Sequence, residues 1–412
     1  MQAPDTTPFV EIHVFGDARE RGLAQGLLMG AEILDFVEHQ LPAFYREEVG
    51  GINLDGLPAW LQSLIKSALE PGAEKLAPAA FDAAMGYVFA QQQGFIKASS
   101  ANVLDEIDGM AEGVCNTQVA AGNTCDQDGL ATRLRHVNML PELLRMQCSM
   151  MGAWGAATPT GQLVQLRTLD FGSGPFANHT FIAVHHPSDS SVAFATFTFP
   201  AFVGAVTGFS EKIGLSEKVD DVSTGKGPSG SYAGQAAIMV IRDILQFATT
   251  KEEAVTIAAN AKRTWPMWLG FGDYASMKFV AILYDQAAVV TYDDTSLPSR
   301  TNATHYTGVA YIDKHPQPSD HPDMPELVQQ FYGNLTGETV AQNFPRLMQS
   351  ADVHAAVYDF GAKKAYLARG VTDRNGDFTR YAYQSPFLRF DVPTLWAEPK
   401  PACRALPCPL SP

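Results

Sequence analysis

Apolar residues recur at helical spacing through the first 147 positions and give way to strand-like patterns after Cys148. Asp17-Ala18-Arg19-Glu20 has the form of a capping box, and Leu23, Leu27, Leu34, Val37 and Leu41 follow it on one helical face. Pro58 suits a helix start, with Trp60, Leu61, Leu64, Ile65, Ala68 and Leu69 forming an apolar stripe up to Pro71. Residues 81–96 predict a third helix and Asn102 opens a fourth carrying Leu104, Ile107 and Met110. A fifth covers 130–146 and contains Pro141, where it is expected to kink or break. Beyond Cys148, residues 148–154, 163–170, 181–185, 192–198, 201–207 and 213–216 read as strands separated by turn residues. Helices are expected over 235–247 and from the Thr250 capping box to 261, then strands over 277–284 and 287–292 and a late hairpin of 351–359 with 365–368. Residues 293–343, with many Pro, Ser, Thr and His, read as a long surface excursion. Runs of strands, then helices, then strands predict an α+β chain of antiparallel sheets with helices layered outside. The division expected is a helical segment 1–147 and a strand-rich region 148–412, with no internal repeats.

Composition narrows the function classes. Hydrophobic residues make up 46% and charged residues 18%, a globular balance. A net charge of −15 argues against nucleic-acid binding, which rests on Lys and Arg against phosphate. No apolar run reaches the length of a membrane span. Residues 1–7 carry no leader pattern, so the chain taken literally is not exported. Closely spaced cysteine pairs and sequons at Asn178, Asn302 and Asn334 point the other way, to an oxidising compartment. The expectation is a lysosomal or secreted protein whose leader is missing from this sequence.

Five cysteines set the candidate chemistry. Cys115 and Cys125 are close together, as are Cys403 and Cys408, and each pair fits either free thiols or a short-loop disulfide. Cys148 is left over at the head of a strand, and Arg167 and Asp170 end the next strand. A thiol attacks as thiolate, from a reference pKa of ~8.5. No His lies near Cys148 in sequence. An alternative base is the residue's own α-amine, set free by a cut just before it, with a reference pKa of ~7.7–8.0. Asp170 could hold that amine and Arg167 could orient Asp170 or bind an oxyanion. The two lie on opposite faces if the strand is regular, so one of them is expected to sit past its end. Without further support, Cys148 reads as an inert buried thiol before a nucleophile, and Arg167 with Asp170 fits a structural ion pair equally well. Adjacent strand residues His185 and His186 point to opposite faces and do not chelate one metal. Gly270-Phe271-Gly272 reads as a loop and not a nucleotide fingerprint, and no Gly-x-Ser-x-Gly elbow is present. Trp265, Trp268, Phe271, Tyr274, Phe197, Phe199 and Phe202 read as core before pocket.

Cys-Ser at a strand start, then Thr-x-x-Gly-x-Leu, then Arg-x-x-Asp-Phe-Gly, resembles the choloylglycine-hydrolase and acid-ceramidase branch of N-terminal-nucleophile hydrolases, and the related penicillin acyltransferases. The nearest resemblance is to acid-ceramidase-like proteins of protists. Patches elsewhere share it: Glu106 to Gly113, Asn138 to Leu143, Phe199 to Gly208, Ala351 to Gly370 and the Cys403/Cys408 pair, which resembles a C-terminal disulfide loop. The resemblance implies an αββα four-layer sandwich and an inactive precursor that cleaves itself between Gln147 and Cys148. It implies Cys148, Arg167 and Asp170 as catalytic residues, two fragments of one chain, and no cofactor or metal. Two features depart from the pattern. The Cys148–Arg167 spacing is longer than in ceramidase-type sequences, at the hairpin turn. The family's oxyanion Asn falls at Tyr311, with Asn302 close by in a sequon; a Tyr hydroxyl can also donate there. Trp154 and Phe202 are substrate-contact candidates. The activity implied is hydrolysis of N-acylated lipids or amines, ceramide-like or N-acylethanolamine-like, with transient membrane-surface contact to extract them. Acyl transfer, phospholipase-B-like ester hydrolysis, and a non-catalytic lipid-binding relative are the alternatives.

Overall fold

The computed structural model describes residues 9–99, 101–144, 147–171, 174–219, 231–297, 304–314, 321–373 and 376–401. Strand β1 (Glu11–Gly16) leads into α1 (Ala18–Leu28), α2 (Gly30–Asp35), α3 (Leu41–Glu48), α4 (Ala59–Ala68), α5 (Ala77–Lys97), α6 (Val103–Ala120), α7 (Gln127–Val137) and α8 (Leu140–Leu143). Next come β2 (Gln147–Gly155), β3 (Gly161–Asp170), α9 (Gly174–Asn178), β4 (Phe181–Pro187), β5 (Phe194–Thr198), β6 (Gly208–Ser210) and β7 (Ile213–Val219). Helices α10 (Ala237–Phe247) and α11 (Lys251–Asn260) precede β8 (Met267–Asp273), β9 (Phe279–Tyr284), β10 (Val289–Tyr292) and β11 (Val309–Ile312). The chain closes with α12 (Met324–Phe331), α13 (Gly337–Met348), β12 (His354–Asp359), β13 (Lys364–Arg369), the small pair β14 (Val371–Thr372) and β15 (Phe378–Arg380), β16 (Leu388–Asp391) and α14 (Val392–Ala397). This is an α+β chain.

An eight-stranded sheet runs β1-β4-β5-β6-β7-β8-β9-β10 and a six-stranded sheet runs β11-β2-β3-β12-β13-β16. Neighbours are antiparallel except β1 with β4. Small residues let the sheets meet. A Cβ on Gly152 would stand 2.2 Å from the Phe279 ring, and one on Gly270 would stand 2.4 Å from that ring and 2.8 Å from Met150 Sδ. Gln165 of β3 donates to Ser216 Oγ of β7 at 2.8 Å across the same junction. Helices α10 and α11 pack on the larger sheet and α13 on the smaller one.

The N-terminal helices are held by glycine contact and buried charge. A Cβ on Gly22 of α1 would fall 1.8 Å from the Glu106 carbonyl oxygen of α6, and one on Gly113 of α6 would fall 2.4 Å from that of Leu23. The Glu106 carboxylate accepts from Arg21 at 3.1 Å and from Arg242 of α10 at 2.8 Å, with every member buried. Cys115 of α6 is disulfide-bonded to Cys125.

The Asp17–Glu20 capping box forms, and Asn102 is the N-cap of α6. Pro141 sits at the start of α8, so the helix expected over 130–146 breaks into α7 and α8. Four expectations need correcting. β1 lies inside the segment read as mainly helical. Residues 201–207 form a buried irregular loop, not a strand. Gly270-Phe271-Gly272 lies inside β8, where glycine makes room for the facing sheet. The excursion 293–343 contains β11, α12 and the first part of α13. No helix of the described residues is long and apolar enough to cross a membrane.

Candidate active site

Cys148 is the second residue of β2 and pairs with Leu169, while Met150 pairs with Arg167. Directly opposed residues share a face and alternate residues return to it. Cys148 and Arg167 therefore both point toward the eight-stranded sheet. There the guanidinium donates to the Glu217 carboxylate of β7 and, at 3.4 Å, to the Val206 carbonyl. The Cys148 Sγ stands 3.9 Å from Glu217 Oε1. All three side chains are fully buried. Burial pushes the Cys148 thiol well above its ordinary range, opposed by the Arg167 charge and aided by those of Glu217 and Asp170. Burial also raises the Glu217 carboxyl, against Arg167 and Lys218. Glu217 Oε2 and Arg167 Nε have no hydrogen-bond partner among the described residues.

His354 of β12 is opposite Leu169, hence on the thiol's face, and its Nε2 lies 2.8 Å from Thr207 Oγ1. Burial, and then the Arg167 charge, hold this imidazole well below its usual pKa. Cys148 packs in one apolar cluster with Leu169, Phe176, Phe199, Phe202 and Val353.

Asp170 ends β3 on the opposite face, across from Gln147. Its carboxylate accepts from Ser350 Oγ at 2.7 Å and from the Ala351 and Asp352 amides at 2.8 and 3.3 Å. Lys314 Nζ pairs with it at 2.8 Å. The turn after α13 delivers those amides through positive φ at Gln349 (49°) and Ala351 (97°), a backbone region that non-glycine residues enter only under strain. Thr168 Oγ1 sits 2.7 Å from Ser350 Oγ and accepts from the Ser149 amide at 3.0 Å, tying this anchorage to β2. Arg167 and Asp170 thus flank the start of β2 from its two sides.

Loop 199–207 lies over the thiol's end of the site and is buried, so its backbone groups need partners. Asn138 supplies three: its Nδ2 donates to the Ala201 carbonyl and its Oδ1 accepts from the Val203 and Gly204 amides. Gln25 donates to the Pro200 carbonyl and Arg242 to that of Val203. Glu142 of α8 accepts from the Ala237 amide at the start of α10 at 2.9 Å and from Gln92 at 2.8 Å. A cavity of about 30 Å³ lies here, lined in part by Leu143, Leu144, Val219, Ile238 and Met267.

The remaining candidates separate. Tyr311 pairs with Met151, which puts it on the face away from the thiol, and its hydroxyl donates to the Thr304 carbonyl. The register therefore does not deliver it as an oxyanion donor to Cys148. Trp154 lies six residues along β2, about 20 Å from Cys148 at strand rise, in the other core cluster. Phe202 is in the thiol's cluster. The backbone of Gln147 pairs in β2. The exposed Asn178 exchanges hydrogen bonds with the Thr372 backbone, and Asn334 is exposed in the turn after α12. Asn302, Cys403 and Cys408 lie outside the described residues. Among the described residues no group of His, Cys, Asp or Glu is placed to hold a metal. Glu217, His354, Ser350 and Lys314 escaped sequence reasoning. The Glu217-Lys218 pair closing an apolar strand was a usable signal, and nothing local marks Ser350.

No family model matches this chain. Two curated relatives from Dictyostelium discoideum align with it along most of its length. Protein dcd1B is 27% identical over 412 residues, covering 95% of this chain and 75% of the relative. Protein dcd1A is 29% identical over 403 residues, covering 92% and 84%. Among solved structures, a mutant conjugated bile acid hydrolase from Clostridium perfringens overlaps 59% of this chain and 96% of its own, with 9% identity and a TM-score of 0.33. A second variant of that hydrolase gives 61%, 87%, 9% and 0.28. Overlap at that level assigns neither fold nor chemistry.

Proposed function

We propose that this chain is a self-processing cysteine amidohydrolase of the N-terminal-nucleophile type, built on an αββα sandwich. The observation that carries the reading is the register of β2 on β3. Arg167 meets the thiol's face of the strand while Asp170 stands beside the residue before the thiol.

In the uncut chain the thiol is buried and its pKa raised, and the Cys148 nitrogen is locked in a peptide bond. Self-cleavage answers both. The Cys148 Sγ attacks the Gln147 carbonyl carbon, the bond to the Cys148 nitrogen breaks, and an ester at sulfur forms. Water then opens that ester, leaving a Gln147 carboxylate, a free thiol and a free α-amine. The amine becomes the base that takes the thiol proton in each later turnover. Arg167 stabilises the thiolate, and the thiolate attacks the carbonyl of an N-acyl substrate, expels the amine and passes the acyl group to water.

The substrate class proposed is N-acylated lipids or amines, ceramide-like or N-acylethanolamine-like. Phe176, Phe199 and Phe202, which pack on one another in the apolar cluster that holds Cys148, offer an apolar wall for the acyl chain. A lysosomal or secreted location and brief membrane contact belong to the same proposal.

The test is acyl-product analysis on purified, processed protein with N-palmitoylethanolamine and a short-chain ceramide, with and without an added amine acceptor. Free fatty acid lost in Cys148→Ala supports hydrolysis. Acyl-amine product instead identifies a transferase, and no turnover of either substrate removes the proposed substrate class.

A further inference from the structure

We propose that Lys314 cancels the charge of Asp170 so that the α-amine released at Cys148 remains an unprotonated base near neutrality. This rests on the self-processing reading above, and it concerns a residue that the sequence pattern did not single out.

The difficulty lies in Asp170 itself. A carboxylate beside a new α-amine favours the ammonium form, and an opposite charge within ~4–6 Å raises an amine's pKa by about 1–3 units. From a reference near ~8, such an amine would be protonated at pH 7 and useless as a base. An uncompensated Asp170 would therefore orient the amine and disable it together.

Lys314 removes that conflict. It follows the end of β11, and its Nζ lies 2.8 Å from Asp170 Oδ1. Its position is fixed by β2, since its amide donates to Ser149 Oγ at 3.1 Å, and that hydroxyl also contacts Asp313 Oδ1 at 3.3 Å. The Lys314 and Asp170 side chains are 15% and 10% exposed, so water screens the pair little. The other charged and titratable groups near this end of β2, among the described residues, come from each packed element. Arg167 of β3 is paired with Glu217 of β7, and Lys218 donates to the Val219 carbonyl. His354 of β12 is held neutral. Asp313, beside Lys314, accepts from Ser149 Oγ and from the Met324 amide, Asp352 offers Asp170 its amide, and Tyr383 feels the Asp170 charge. Lys314 is thus the cation paired directly with Asp170.

The test compares wild type, Lys314→Met and Lys314→Arg by the acid limb of kcat/KM. Competitive trace acetylation of the Cys148 α-amine from pH 4 to pH 10 gives a readout independent of turnover. Lys314→Met is expected to move both the limb and the amine titration up by about one pH unit, with activity at pH 5.5 down about tenfold and the alkaline plateau kept. Lys314→Arg is expected to follow wild type. An unmoved limb in cleaved Lys314→Met overturns the proposal and leaves the self-processing reading standing. Wild type that yields no fragment beginning at Cys148 overturns both. If Lys314→Met is not cleaved, Lys314→Ala with added propylamine decides. Cleavage restored together with the wild-type limb supports the role, and any other result overturns it.

Discussion

The Arg167 guanidinium and the Glu217 carboxylate reach each other from different sheets, and neither side chain touches solvent. Removing one member of such a pair strands the other, at about 3–5 kcal/mol, whereas replacing both with apolar groups is often near neutral. Glu217→Gln is expected to lower stability by about 3 kcal/mol. Arg167→Met combined with Glu217→Leu should recover more than half of that. The shift in urea midpoint at unchanged slope measures it. A double variant no more stable than either single one would contradict the pair's role in the fold.

The buried thiol gives a second prediction. In uncut protein Cys148 should react with iodoacetamide at least about a hundredfold more slowly than in urea-unfolded protein, because reagent access and thiolate population both fail. Cleaved protein should react faster than uncut protein. Equal rates in the two forms would mean that the cut does not open the site.

Acid should weaken the fold through its buried histidines. Burial and the Arg242 charge hold His185 well below its usual pKa, as burial and Arg167 do for His354. Each binds its proton more readily when unfolded, so the stabilisation is present above pH ~6.5 and is lost as pH falls below it. Melting temperatures at pH 7 and pH 5 test this. His354→Gln should flatten the dependence, and an unchanged slope in that variant assigns the acid sensitivity elsewhere.

Contact between α1 and α6 yields a prediction far from the thiol. Gly22→Ala drives a methyl into the Glu106 carbonyl oxygen, 1.8 Å from the ideal Cβ position. Overpacking of this kind costs about 1–3 kcal/mol. It should also loosen loop 199–207, because Glu106 holds Arg242 and Arg242 holds the Val203 carbonyl. Faster limited proteolysis within that loop is the expected readout. Exposed Gly94→Ala, where no atom lies within 4 Å of the added Cβ and φ is not positive, controls for glycine loss.

Local signals carried well in this sequence and cross-sheet relations did not. The Asp17–Glu20 cap and the β2–β3 hairpin depend on residues near one another in the chain, so Cys148, Arg167 and Asp170 could be brought together without a structure. The opposite-face relation of Arg167 and Asp170 followed from strand period alone, but the expectation that one of them sits past the strand's end does not hold, because β3 stays regular through both. The face of Tyr311 was not legible, because it depends on pairing with Met151, a register set by a segment more than 150 residues away. Residues 201–207 looked like a strand because they are apolar; outside a regular strand, Asn138, Arg242 and Arg167 satisfy much of their backbone. Glu217 was hidden because its partner, Arg167, lies in the other sheet.

The central claim is that the chain cuts itself before Cys148. Intact mass and N-terminal sequence of purified protein, incubated from pH 4 to pH 8 beside Cys148→Ala, test it most directly. Two fragments, one beginning Cys148-Ser149-Met150 and absent from the variant, are the predicted result. A wild-type chain that stays whole at every pH would contradict it and leave Cys148 as a buried structural thiol.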